Sequence, residues 1–545
     1  MSGERRPRDP YLNHWADLAA DKTLRAHPDA KQIVVAAGIT PSGVVHIGNF
    51  REVITVDLVA RALEDRGVDV RFIYSWDDFD VFRKVPKDAP QQEMLTEQLG
   101  KSIADVPDPW GTHESYAAHN IARFEDSITP LGIAPEFIRQ HAMYRAGKYA
   151  EGIRAAVQNA ATIRDLINAS REKTGARNRL ANDWLPLAGF CSGCGKDDLE
   201  FAFDGEWTVR VTCKSCGHVE DVDLRNGGNL KLAWRVDWPM RWGFEKVCFE
   251  PGGKDHSSAG GSYDTAKDIV REVYDWVAPE YVGYDFVCAK GQGGKLSSSK
   301  GGVVDVTTCL QVYEPEVLRW LFAGYRPNTE FAISFDLDVI KLYEDYDRTV
   351  RLAHEAEDGG KKDKKRATAR RTLELASVPR RRIEAGSQAP TLIGFRHLST
   401  VLQTYDGDIK ATGDYFARAG ELSTEADRAR FEQRAQCVWN WVEQYAPEDF
   451  RYRIRTEAVV REIPEAQQAP LKRLVEVLEA DPNATETSIG EQMKAMSKSG
   501  VDMKAFFPVV YDLLLGRDRG PKMSTLLAIM TPARALPLLT PSVNA

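Results

Sequence analysis

Ile33-Val34-Val35-Ala36-Ala37, then Gly38-Ile39-Thr40-Pro41-Ser42-Gly43, then His46-Ile47-Gly48-Asn49 decide the fold of this chain. Five consecutive apolar residues closed by a Gly/Pro/Ser cluster read as a buried strand, and the turn after it delivers a helix start near His46. A helix start offers unpaired N–H groups and the positive end of the helix dipole to an anion. Imidazole and amide donors gathered there suit a triphosphate. Far downstream a second strand pattern, Tyr281-Val282-Gly283-Tyr284-Asp285-Phe286-Val287-Cys288, leads through Gly291-Gln292-Gly293-Gly294 to Lys295-Leu296-Ser297-Ser298-Ser299-Lys300. That loop suits the other side of the same triphosphate. Val70–Tyr74 is a further buried strand before Ser75-Trp76-Asp77-Asp78, so the first half alternates strand and helix and predicts a parallel, doubly wound sheet.

A second lysine-rich stretch, Lys494-Ala495-Met496-Ser497-Lys498-Ser499, lies in a polar, helical tail without a preceding strand pattern and is set aside as a loop of this kind. Length and charge bound the rest. The 545 residues predict two to four domains, each large enough for its own core. Met1–Pro10 is charged with no apolar run, and no later segment reads as long and apolar enough to cross a bilayer, so the expected location is cytoplasmic. A net charge of −8 argues against a surface that binds nucleic acid throughout. One stretch, from Lys361, Lys362, Lys364, Lys365, Arg366, Arg370 and Arg371 to Arg380, Arg381 and Arg382, concentrates positive charge as either a solvated face or a phosphate-backbone contact.

Cys191-Ser192-Gly193-Cys194 and Cys213-Lys214-Ser215-Cys216 frame eighteen residues between two Cys-x2-Cys pairs. Each pair closes a tight knuckle, with Gly195 and Gly217 relaxing the backbone behind it, and four thiolates make a closed structural zinc site. Asp108, His113 and His119 near Trp110 form a second metal candidate that lacks an evident fourth ligand, with Thr112 beside His113. After about Pro327 amphipathic helices dominate: Leu471, Leu474, Val475 and Leu478 repeat at i, i+3, i+4, i+7, and Phe431, Ala435, Val438 and Val442 do likewise.

Taken together, these stretches resemble the class I aminoacyl-tRNA synthetases and, among them, the class I lysyl-tRNA synthetase family. The likeness is carried by Gly38–Gly43 running into His46-Ile47-Gly48-Asn49-Phe50-Arg51-Glu52, by Ser75-Trp76-Asp77-Asp78-Phe79-Asp80, by Pro251-Gly252-Gly253-Lys254-Asp255-His256, by the Lys295 loop, by the four cysteines and by Leu514-Leu515-Gly516-Arg517-Asp518-Arg519-Gly520-Pro521. The resemblance implies an α/β fold: a Rossmann-like parallel-sheet catalytic domain with a zinc-containing insertion, followed by an all-α carboxyl domain that reads the tRNA anticodon. The expected divisions are 1–100 and 254–330 for the two catalytic halves, 101–253 for the insert and 331–545 for the helical domain.

The implied reaction is ATP-dependent activation of lysine and transfer to tRNA(Lys), with Mg²⁺ arriving on ATP. His46, Asn49, Lys295 and Lys300 are the expected catalytic residues, with Pro41, Ser42, Gly43, Gly48, Ser297, Ser298 and Ser299 as further ATP contacts. Asn49 stands where class I chains usually carry a second histidine. Ser298 stands where they carry a second lysine, which makes Lys300 the replacement cation. The resemblance assigns Gly38, Thr40, Glu52, Trp234, His256 and Tyr284 to lysine. Glu52 lies three residues past Asn49 and so shares its helix face, whereas Trp234 with Trp238 and Trp242 also reads as helix core. The alternatives are a class I enzyme for glutamate, cysteine or arginine, a noncatalytic RNA-binding paralogue, or a ligase that delivers its adenylate to a carrier protein or small molecule.

Overall fold

The computed structural model describes residues 14–87, 89–173, 175, 178–254, 261–290 and 304–544. The chain divides into two compact units. One comprises Met1–Cys309, Pro315–Ile333 and Leu352–Ser387, and the other Leu310–Glu314, Ser334–Arg351 and Gln388–Ala545.

In the first unit, β1 (Ile33–Ile39) enters helix α1 (Ile47–Glu64), which returns to β2 (Val70–Trp76). β3 (Glu136–Arg139), α2 (Trp234–Glu245), β4 (Val247–Gly253) and β5 (Glu280–Tyr284) follow. The five strands form one sheet in the order β5-β4-β1-β2-β3 with every pairing parallel. Ile33 to Ala37 are buried, as a strand covered on both faces demands. The strand order reverses between β1 and β4, and the carboxyl ends of strands at such a reversal are where an open α/β sheet leaves a crevice.

Two details differ from the sequence reading. β3 and β4 both come from the 101–253 stretch expected to be an insert. Only its middle part, with Leu199–Phe203, Thr208–Cys213 and Val219–Asp223, forms a separate antiparallel sheet. Residues 352–387 cluster with the sheet-bearing unit rather than with the carboxyl helices. The reason is electrostatic: Arg371 is buried against Asp17 at 2.7 Å and Asp65 at 2.6 Å, and Arg381 and Arg382 pair with Glu316 and Glu374. Most guanidinium charge of the basic stretch is thus spent inside its own unit.

The second unit is helical among the described residues, from Phe395–Thr404 to Met523–Val543. Leu471, Leu474, Val475 and Leu478 pack with Ile489, Phe506, Val510 and Leu514 in one core, each contributing about 1.5–3 kcal/mol of burial. Met523–Val543 is long and apolar enough by composition to cross a membrane, which corrects the expectation that no segment is. Its Leu526, Leu527, Met530, Leu538 and Leu539 belong to that same core. The backbone leaves the helical region at Thr531, next to Pro532. The lysine-rich stretch set aside above falls within helix Glu486–Lys498 and its cap.

Candidate active site

His46 is the N-cap of α1, with extended backbone and a ring Nδ1 that accepts from Asn49 N–H at 3.2 Å. An accepting Nδ1 puts the neutral ring's proton on Nε2. Gly48 is required here by space, because a Cβ would stand 2.9 Å from the His46 ring. Before the cap, Pro41 and Gly43 are buried and Ser42 is exposed, with its carbonyl accepting from the Tyr116 hydroxyl at 3.1 Å.

The same helix turn receives the chain on both sides of the Lys295 loop. On entry, Arg51 donates to the carbonyls of Asp285 and Phe286 at 2.8 and 3.2 Å, and the Val287 carbonyl lies against Gly48. On return, Ile47 N–H donates to Val304 O at 2.9 Å, and His46 pairs with Asp305 in an antiparallel bridge. Lys295, Ser297, Ser298, Ser299 and Lys300 themselves lie outside the described residues, as does His256.

One turn into α1, the Glu52 carboxylate accepts from Gly38 N–H at 2.9 Å and from the Tyr284 hydroxyl at 2.5 Å. Among the described residues no cation pairs with it. Burial pushes Glu52 up to about 8, against the two hydrogen bonds and with help from the neighbouring carboxylates Glu250 and Asp77. Gly38 is also spatially constrained, since a Cβ there would meet Ser75 O at 2.7 Å. Beside it, Thr40 donates to Asp80 at 2.7 Å, and Lys231 donates to the other Asp80 oxygen at 2.7 Å.

Trp234 is half-buried and stacks on Trp238 with centroids 5.5 Å apart. Trp238 and Trp242 donate through their indole N–H to the two oxygens of Glu250, which burial raises above the ordinary carboxylate range. Asp77 is pushed up to about 6 by burial, countered by Arg241 at 2.7 Å. The crevice therefore gathers Glu52, Asp77 and Glu250 from α1, the end of β2 and β4 respectively. Sequence reading singled out only Glu52 from this group. Asp77 stood in a quoted motif, and the one signal for Glu250 was an acid inside the apolar strand Val247–Gly253.

The four cysteines converge as expected. Their Sγ atoms all lie within 4.8 Å of one another, with Cys191 to Cys216 at 3.6 Å and Cys194 to Cys213 at 3.7 Å. Tetrahedral thiolates at the usual Zn–S length stand about 3.8 Å apart, so the set fits one zinc ion. Ligand atoms of Asp108, His113 and His119 also come within 4.8 Å of one another. There the Asp108 carboxylate already accepts from the N–H groups of Trp110, Thr112 and His113, while the Thr112 hydroxyl stands 2.8 and 3.0 Å from the two imidazoles. That cluster organises its own loop.

Residues 13–378 match the family described as tRNA synthetases class I (K). The chain is 42% identical over 523 residues to a lysine–tRNA ligase of Borrelia garinii subsp. bavariensis, covering 95% of this chain and 97% of that one. It is 41% identical over 527 residues to a lysine–tRNA ligase of Treponema pallidum, covering 95% and 96%. To one of Pyrococcus furiosus it is 39% identical over 521 residues, covering 95% and 97%.

Proposed function

The chain belongs to the class I (K) tRNA synthetases, and from that premise we propose that it is a lysine–tRNA ligase. The observation that carries the substrate is Glu52: a half-buried carboxylate, oriented by Tyr284 and Gly38 and left without a cation among the described residues. An ammonium taken from water needs such a partner. A lysine side chain would supply the missing charge, with Trp234 and His256 as further walls and Gly38 and Thr40 near its α-amino and carboxylate end.

The lysine carboxylate attacks the α-phosphate of ATP, the bond to pyrophosphate breaks, and a terminal ribose hydroxyl of tRNA then displaces AMP from the mixed anhydride. A carboxylate nucleophile is already ionised, so the first step needs alignment and charge neutralisation rather than a base. His46 Nε2–H, Asn49, Lys295 and Lys300 would hold the phosphates, with Pro41, Ser42, Gly43, Gly48, Ser297, Ser298 and Ser299 shaping the loops around them. Mg²⁺ would arrive with ATP. The anchoring of Val287 and Val304 on the first turn of α1 supports the pairing of the two loops. Cys191, Cys194, Cys213 and Cys216 would hold a structural zinc, and the helical unit would contact tRNA(Lys). The protein would work in the cytoplasm as a ligase of protein biosynthesis.

Pyrophosphate exchange with each of the twenty amino acids, with and without unfractionated tRNA, tests the reading. Lysine-dependent exchange is expected; exchange with a different amino acid alone would overturn it. Metal analysis of Cys191→Ser should show loss of zinc. Zinc retained at half or more of the wild-type content would move the ion to Asp108, His113 and His119.

A further inference from the structure

Trp234, Trp238 and Trp242 recur at every fourth position of α2, so their rings line one side of the helix. Lys246 alone separates α2 from β4, and the helix therefore folds back along that strand. Trp242 lies nearest this turn and is 1% exposed; Trp238 is 8% exposed. Trp234, about 12 Å further along the axis than Trp242, is half-buried and stands towards the carboxyl end of β4, where the crevice opens.

Beneath these rings β4 carries an acid. Glu250 is half-buried in a strand whose Val247, Cys248, Phe249, Pro251 and Gly252 are buried. Trp238 Nε1–H donates to one of its carboxylate oxygens at 3.1 Å, and Trp242 Nε1–H donates to the other. Taking a carboxylate partly out of water costs free energy that an aliphatic side chain at this place would not, and two hydrogen bonds offset that cost. They also fix how the rings are turned. Trp238, so held, stands 4.7 Å from Trp242 and stacks on Trp234 with centroids 5.5 Å apart and planes 20° from parallel. Orientation is thus passed from the acid to the outermost ring.

We propose that Glu250 is a positioning residue for the amino-acid substrate: it holds the Trp238 ring, and through the stack the Trp234 face along which a lysine side chain lies on its way to Glu52. This rests on the reading of the chain as a lysine–tRNA ligase with Trp234 in its pocket. Glu250→Met keeps an unbranched side chain of similar length and takes the acceptor from both indoles. Trp238→Phe keeps an aromatic ring at the centre of the stack and removes the N–H that Glu250 holds.

The test is lysine-dependent pyrophosphate exchange by the full chain in the presence of unfractionated tRNA, with lysine and ATP varied in turn. Glu250→Met and Trp238→Phe should each raise the lysine KM about tenfold, while kcat and the ATP KM stay near wild type. The double variant should be no worse than either single one, because both changes remove the same link. The preference for lysine over ornithine, one methylene shorter, should fall in all three, as a loosened wall no longer fixes the reach to Glu52. An unchanged lysine KM in either single variant would overturn the inference. So would effects that multiply to about a hundredfold in the double variant, since Glu250 would then act on lysine without Trp238. If one variant does not fold, the other decides by its lysine KM. No lysine exchange by wild type would sink the functional reading itself, whereas normal exchange with an unmoved KM in the variants would sink only the positioning role.

Discussion

Two carboxylates of α1 lie little more than a turn apart and have opposite fates. Asp57 is clamped by Arg319 at 2.5 Å and by Arg61 at 2.9 Å, and Arg319 also donates to the carbonyls of Leu131, Leu375 and Ala376. Glu52 is half-buried and, among the described residues, holds only a tyrosine hydroxyl and one N–H. The first arrangement closes its charge within the fold. The second leaves a charge to be completed from outside, which is what a cationic substrate requires. A buried polar group therefore marks function by what it lacks rather than by its depth.

The largest effect should fall on the closed pair. Arg319→Ala leaves Asp57 with Arg61 alone, takes the Arg319 donors from three carbonyls, and should cost about 3–5 kcal/mol of stability in urea unfolding. The lysine KM of the surviving folded fraction should be unaltered; a shifted KM would join the two regions that the comparison separates. Next come the phosphate donors. His46→Ala and Lys295→Ala should each slow pyrophosphate exchange by about two to three decades, or 2–4 kcal/mol, with lysine binding nearly normal. Wild-type exchange rates in both variants would remove these loops from the chemistry.

Glu52→Gln keeps the Tyr284 and Gly38 contacts in reach but removes the charge. It should raise the lysine KM about thirtyfold, near 2 kcal/mol, and leave the ATP KM alone. An unchanged lysine KM would take Glu52 out of the pocket and end the contrast with Asp57.

The smallest effect is in pH. Glu52 rises from an ordinary 4.5 to about 8 in the lysine-free fold, so the folded chain holds a proton that the unfolded chain has lost between those values. The contribution of this group to stability thus declines as pH rises through that window. Binding an ammonium expels the proton, so apparent lysine affinity should weaken about tenfold for each pH unit below about 8, worth about 1.4 kcal/mol per unit. Calorimetry in buffers of different ionisation enthalpy would register the released proton. Equal signals in all buffers would mean that Glu52 is already ionised.

What was legible in the sequence was local. The strand, turn and helix start at Ile33–Asn49 announce themselves through consecutive residues, and the cysteine knuckles through two-residue spacing. The carboxyl helices show in apolar repeats such as Leu471, Leu474, Val475 and Leu478. The borders at 101 and 331 shifted because β3, β4 and the 352–387 segment join the sheet-bearing unit through contacts that short-range periodicity does not encode. The family likeness supplied Glu52 and Tyr284 as separate members of one pocket. Their hydrogen bond spans 232 positions, and no periodicity carries it.

By itself the sequence determined the class of fold, the helix start at His46 and the thiolate set, since each depends on backbone geometry and side-chain chemistry within a few residues. Only the tertiary structure decided that, among the described residues, Glu52 lacks a cation while Asp57 has two, and that Arg371 is spent on Asp17 across 354 positions. Charge and hydrogen-bond completion depend on which distant groups are brought together and on the water that packing removes, and neither is written in the order of residues alone.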